Sequence, residues 1–137
     1  MCFVLLVEDS LTFRKSMREM LALRFPALEI VEASDGEEAL QKLENTNPDL
    51  IFIDIRLPGK NGLEVTKKIK EANSDVEVVI LTSYDIPEYR AAALRSGASH
   101  FFTKGNSGSD EIATFVRSTF QKRGKDLCVG FQVPEVM

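Results

Sequence analysis

The chain contains no apolar run approaching twenty residues, so nothing in it reads as a membrane span. Positive charge is in deficit. Lys and Arg number 17 against 21 Asp and Glu, and the net charge of -4 argues against non-specific nucleic-acid binding through this chain. The apolar N-terminal stretch MCFVLLVEDS has no basic residues ahead of it and is ended by Glu8 and Asp9, so it reads as a first strand and not as a signal peptide. There are two cysteines, Cys2 and Cys128, near opposite ends. They lack the close spacing of a metal site or redox dithiol. Without a secretory signal, free thiols in a reducing cytoplasm are the expectation, with a disulfide as the alternative. No internal repeat or low-complexity segment is present.

What is present is an alternation. Apolar runs of strand length occur at Phe3–Val7, Leu28–Ala33, Leu50–Asp54, Val76–Thr82 and His100–Thr103. The second alternates apolar and charged residues, as an edge strand does. Amphipathic helices are expected between and after them: Leu11–Phe25 with Leu11, Met17, Met20, Leu21 and Phe25 inward; a helix from a Ser34/Glu37 capping box to about Asn45; Asn61–Asn73; Pro87–Ser96, opened by Pro87 and stopped by Gly97; and Ser109–Lys122. Five βα units with strands apolar on both faces predict an α/β fold, a five-stranded parallel sheet with helices on both faces. Its 137 residues suffice for one domain. The expected division is a domain over 1–123 and a tail 124–137 that continues as a strand, a disordered end or a linker.

Open parallel sheets gather chemistry at the carboxyl ends of their strands. Here the first strand runs into Glu8, Asp9 and Ser10, the third into Asp54, the fourth into Thr82 and the fifth into Lys104. Singly, each has an ordinary role: Asp9 or Ser10 as a helix cap, Thr82 as a β-branched strand residue, Lys104 as a surface cation. Jointly, three carboxylates repel, and one must take up a proton unless a cation sits among them. Hard carboxylate oxygens suit Mg²⁺, which keeps several waters and commonly also binds phosphate. Lys104 and Thr82 supply a charge and a hydroxyl to phosphoryl oxygens.

The segments VEDS (7–10), DLIFIDIRLPGKNGLEV (49–65), VVILTS (78–83) and GASHFFTK (97–104) resemble the receiver domain of two-component response regulators. The resemblance covers roughly residues 3–122. It implies a flavodoxin-like strand order 2-1-3-4-5 and Asp54 as acceptor of a phosphoryl group from a phosphohistidine on a sensor kinase or phosphotransfer protein. It further implies Mg²⁺ held by Asp9, by Glu8 through water, by Asp54 and by the backbone carbonyl of Arg56, with Thr82 and Lys104 on the phosphoryl oxygens. Thr82 and Phe101 would form the conformational switch, Phe101 acting through its apolar bulk alone. Arg56 and Tyr84, two residues beyond Asp54 and Thr82, are the candidates for tuning phosphoryl lifetime. A cytoplasmic domain that binds neither nucleic acid nor membrane, with homodimerisation as a further expectation, completes what the resemblance implies.

Lys104 is followed by Gly105-Asn106-Ser107-Gly108 where most receivers have a proline. This loop is expected to be more flexible, and it is similar to receivers of NarL/LuxR-type regulators. A phosphatase of the haloacid-dehalogenase type would want a second Asp where Arg56 stands. A flavin or nucleotide module would want a phosphate-cradling loop where the acidic, glycine-free EDSLTFRK stands. His100 reads as a partly exposed strand residue, and Lys122, Arg123 and Lys125 as complements to the last helix's dipole.

Overall fold

The computed structural model describes residues 2–130. Its elements are β1 (Phe3–Val7), α1 (Leu11–Arg24), β2 (Glu29–Ala33), α2 (Gly36–Leu43), β3 (Leu50–Ile53), α3 (Gly62–Ala72), β4 (Glu77–Thr82), α4 (Pro87–Ser96), β5 (His100–Thr103) and α5 (Ser109–Lys122), followed by a 3-10 turn at Asp126–Val129. The strands are all parallel, in the order β2-β1-β3-β4-β5. Both the element series and the strand order match the expectation.

Alternate strand residues face opposite layers, which divides the core in two. Val4, Leu6, Leu50, Phe52, Val79, Leu81 and Phe102 meet Met17 and Leu21 of α1 and Ile112, Val116 and Phe120 of α5. Leu5, Val7, Ile51, Ile53, Val78 and Ile80 meet Ala39 of α2, Val65 and Ile69 of α3 and Ala93 of α4. The chain leaves β1 for β2 on one side and returns for β3 on the other. A crevice therefore opens at the carboxyl ends of β1 and β3, where Asp9 and Asp54 lie.

Several local expectations are corrected. Leu11 opens α1 on its solvent side, 64 % exposed. The cap of α2 is shifted by one residue from Ser34/Glu37. Asp35 accepts from the Glu38 N–H at 2.8 Å, while the Glu38 carboxylate accepts from the backbone and hydroxyl of Ser34. The cysteines are not free: Cys2 and Cys128 form a disulfide with Cα atoms 5.8 Å apart. Its cause is a chain reversal that no spacing rule reveals. After α5, Gly124 adopts φ +73°, a left-handed conformation open to glycine, and the Lys125 N–H bonds the Phe120 carbonyl at 2.8 Å. The 3-10 turn then tucks beneath the start of β1.

Arg123 and Lys125 likewise do more than complement a dipole. Both ion-pair with Asp49 Oδ1, at 3.2 and 2.7 Å. Asp49 is 3 % exposed, and its other carboxylate oxygen accepts from the Phe3 N–H at 3.2 Å. Part of the tail is thus a 3-10 turn fastened to the amino edge of the sheet. The expectation for 131–137 lies outside the described residues.

Candidate functional site

The site is built on backbone that the sheet already holds. Asp54 follows β3 directly, its N–H bonded to the Val7 carbonyl at 3.1 Å. Glu8 follows β1, its N–H bonded to the Ala33 carbonyl at 3.0 Å. Both carboxylates are buried, at 7 % and 6 % exposure, while Asp9 is exposed. Ser10 caps α1, accepting from the Phe13 N–H. Its own N–H donates to Glu8 Oε2 at 2.9 Å. Behind Asp54, α3 begins at Gly62, where a Cβ would lie 1.9 Å from the Asp54 carbonyl oxygen. Glycine is therefore required for α3 to start this close to the β3 terminus.

Lys104 follows β5 directly, its own N–H bonded to the Thr82 carbonyl at 2.8 Å. Its Nζ donates to Asp54 Oδ2 at 2.9 Å, ion-pairs with Glu8 Oε1 and lies 4.3 Å above the Phe13 ring. Burial pushes the Glu8 carboxyl above its ordinary range, against the lowering effect of Lys104 and the Ser10 N–H; the Asp54 charge adds to the rise. Burial opposes the charge on Lys104, but its bonds to Glu8 and Asp54 outweigh that and raise its pKa. Both shifts express one fact, an excess of buried negative charge held by a single ammonium.

Two observations test whether a divalent cation fits. Glu8, Asp9 and Asp54 each offer a carboxylate oxygen, and the three oxygens lie within 4.8 Å of one another. This is an all-oxygen donor set, with Asp9 open to water, which suits Mg²⁺. At the end of the neighbouring strand β4, Thr82 is fully buried, and its Oγ1 has no hydrogen-bond partner among the described residues. A buried hydroxyl without a partner is costly, so this one is poised for an acceptor that arrives from outside.

The outer residues also converge. The Arg56 guanidinium stacks 4.2 Å from the Tyr84 ring centroid, and Tyr89 meets Tyr84 edge-on at 6.4 Å. The Arg56 N–H reaches Asp54 Oδ1 at 3.4 Å. Phe101 is half-buried on β5 beneath Arg90 of α4, whose guanidinium lies 4.6 Å from the ring. No cis peptide occurs among the described residues. The glycine-rich loop turns at Gly105, φ +87°, and is held to Thr103 by the N–H groups of Asn106 and Ser107 and by the Ser107 hydroxyl. His100 is exposed on β5 and stacks on Phe115 of α5 at 5.0 Å.

Sequence reasoning missed Phe13 and Arg14. Arg14 donates through Nη1 to the Glu8 carbonyl at 2.6 Å and through Nε to Glu32 Oε1 at 2.8 Å. The only available signal was helical spacing, which puts both residues one turn beyond Asp9 on the side facing the site.

The sequence model of the response regulator receiver domain matches residues 4–117. The chain belongs to that family. Receiver domains are signalling domains of two-component systems, and this one is similar to the response regulator GacA of Pseudomonas viridiflava. The two are 34% identical over 118 residues, 85% of this chain and 54% of GacA. Among solved structures it resembles the response regulator TrrA of Thermotoga maritima, in complex with Mg(2+)-BeF. Identity is 33% and the TM-score 0.77, over 87% of this chain and 99% of that one. It also resembles a LuxR-family two-component response regulator of Aurantimonas sp. SI85-9A1, with 28% identity and TM-score 0.80, over 88% of this chain and 85% of that one. The receiver spans about half the length of the curated relatives it matches. No helix among the described residues is long and apolar enough to cross a membrane.

Proposed function

We propose that Asp54 is the phospho-acceptor of this receiver. A carboxylate oxygen of Asp54 attacks the phosphorus of a phosphohistidine on a sensor kinase or phosphotransfer protein. A P–O bond forms, the P–N bond breaks, and the imidazole leaves with a proton. The observation that carries this reading is the Lys104 ammonium bonded to Asp54 beside the carboxylates of Glu8 and Asp9, with a hydroxyl unpartnered among the described residues, Thr82, at the end of the neighbouring strand β4. Asp9, Asp54, Glu8 through water, and the Arg56 carbonyl would hold Mg²⁺. The ion supplies neutralisation of the charge on the phosphoryl oxygens. Lys104 is already at the acceptor oxygen and stabilises the same charge from the protein side.

Phosphorylation would draw the Thr82 hydroxyl to a phosphoryl oxygen. The space it leaves favours an inward Phe101, and Arg90, stacked on that ring, carries the change to α4. Arg56 and Tyr84, already stacked on one another, would set phosphoryl lifetime through access of water to Asp54. Slow autodephosphorylation would return the domain to its resting state. We take residues 1–123 as the receiver and 124–137 as a linker or tail. The setting is cytoplasmic, without nucleic-acid or membrane binding through this domain. Resemblance to a LuxR-family regulator supports a DNA-binding output beyond it, with control of that output or of a homodimer as the consequence.

The test is intact mass after incubation with Mg²⁺ and acetyl phosphate. One added phosphoryl group is expected in the wild type, and none in Asp54→Asn or without Mg²⁺. If neither acetyl phosphate nor a phosphohistidine donor yields an adduct, the reading of Asp54 fails.

A further inference from the structure

Four hydrogen-bonding groups of Glu8 are engaged: its N–H by the Ala33 carbonyl, its two carboxylate oxygens by Lys104 and the Ser10 N–H, and its carbonyl by Arg14. Arg14, one turn into α1, is 14 % exposed. Its Nη1 donates to the Glu8 carbonyl at 2.6 Å. That carbonyl belongs to the Glu8–Asp9 peptide, and the orientation of this peptide plane sets the direction of the bond that carries the Asp9 carboxylate. The turn contains no glycine or proline to fix it otherwise.

The other side of the Arg14 fork is also occupied. Nε donates to Glu32 Oε1 at 2.8 Å, while Arg18 Nη1 donates to Glu32 Oε2 at 2.7 Å and to the Ile30 carbonyl at 3.1 Å. Lys42 donates to the Glu32 carbonyl. Glu32 is therefore pinned at the end of the edge strand β2, and it takes up the Arg14 charge. A guanidinium without that partner would stand beside the acidic cluster and oppose the arrival of a cation.

We propose that Arg14, held by Glu32, is a positioning residue for the cation-binding carboxylates of Glu8 and Asp9. Arg14 orients their shared peptide, and Glu32 keeps the Arg14 charge from competing with the cation. This rests on the phospho-acceptor reading above. Groups that orient metal ligands without touching the metal typically change metal affinity by about 10–100-fold when removed.

The experiment is Mg²⁺ titration calorimetry on the wild type, Arg14→Met, Arg14→Lys and Glu32→Gln, each with a urea midpoint as a check on folding. Arg14→Met is expected to weaken Mg²⁺ binding by about tenfold. Arg14→Lys, which cannot bond both partners in one plane, should fall between it and the wild type. Glu32→Gln should weaken binding by about threefold, with little change in stability. In phosphorylation by acetyl phosphate, half-saturating Mg²⁺ should rise in parallel while the rate at saturating Mg²⁺ is retained. A merely structural role would lower the urea midpoint and leave affinity unchanged. Unchanged Mg²⁺ affinity in Glu32→Gln and in the Arg14 variants that fold would overturn the proposal while leaving Asp54 as acceptor. A wild type that binds no Mg²⁺ would overturn both readings.

Discussion

Reduction of the Cys2–Cys128 disulfide should cost this receiver much of its stability without unfolding it. The bond joins residues separated by 126 positions, so it restrains nearly the whole unfolded chain. The chain-entropy expression for a loop of this length gives roughly 5 kcal/mol at 25 °C, and removing native disulfides typically costs about 2–5 kcal/mol. Domains of this size have about 5–15 kcal/mol to lose. Of the two core layers, the 3-10 turn contributes only Cys128 and Val129, both to the layer of α1 and α5, and nothing to the other. Asp49 holds Arg123 and Lys125 to the sheet independently of the sulfurs. The reduced protein should therefore stay folded. With a urea slope of about 2 kcal/mol/M, the unfolding midpoint should fall by about 1–2.5 M, and the slope itself should rise as the freed chain expands. Urea denaturation followed by circular dichroism, oxidised and with a dithiol reductant, measures both quantities. A Cys2→Ser/Cys128→Ser variant should match the reduced wild type. Coincident curves for oxidised and reduced protein would refute the reasoning. Phosphoryl acceptance should be unaffected, because the bond lies at the amino edge of the sheet and Asp54 at the carboxyl edge. In a cytoplasmic setting, the state of this bond depends on the thiol pool.

Three further outcomes are expected. Lys104→Met leaves Glu8 and Asp54 as buried carboxylates without their cation, a change that costs about 3 kcal/mol. Added Mg²⁺ should restore part of the loss in a thermal melt, and an unchanged melting temperature without Mg²⁺ would contradict the ion pairs described. Thr82→Val removes a buried hydroxyl that has no partner among the described residues, so stability should hold or rise by up to about 1 kcal/mol. Phosphoryl acceptance should slow about tenfold if the lost bond is worth about 1.5 kcal/mol, and a destabilised variant would show that Oγ1 was bonded after all. The Ser34 backbone N–H, with the Ser34 hydroxyl and Lys42, holds the Glu38 carboxyl down at about 2, against an ordinary 4.5. Its contribution is therefore complete above pH 4.5 and lost as pH falls toward 2. The side chain is 38 % exposed, which limits the effect to less than about 1 kcal/mol. Glu38→Gln should lower neutral stability by less than about 1 kcal/mol, flatten the acid limb of the urea midpoint between about pH 5 and 2 and converge with the wild type near pH 2, and a limb of unchanged slope would count against it.

The residues of the sequence alone determined the architecture and most of the rim. Strand-length apolar runs separated by amphipathic segments specify a parallel sheet, because only helices on both faces can cover strands that are apolar on both sides. In such a sheet whatever follows a strand stands at one edge, which is why the strand ends alone group Glu8, Asp9, Asp54, Thr82 and Lys104. Tertiary structure decided what depends on distances between segments far apart in the chain. Cys2 meets Cys128 only because the chain reverses at Gly124. Arg123 and Lys125 looked like helix-end charges because their partner, Asp49, lies over 70 residues away. The bond from Arg14 to the Glu8 carbonyl and the unpartnered state of the Thr82 hydroxyl are likewise properties of side-chain placement. Periodicity reports which face a residue takes, whereas the partner it finds there is set by how the elements close on one another.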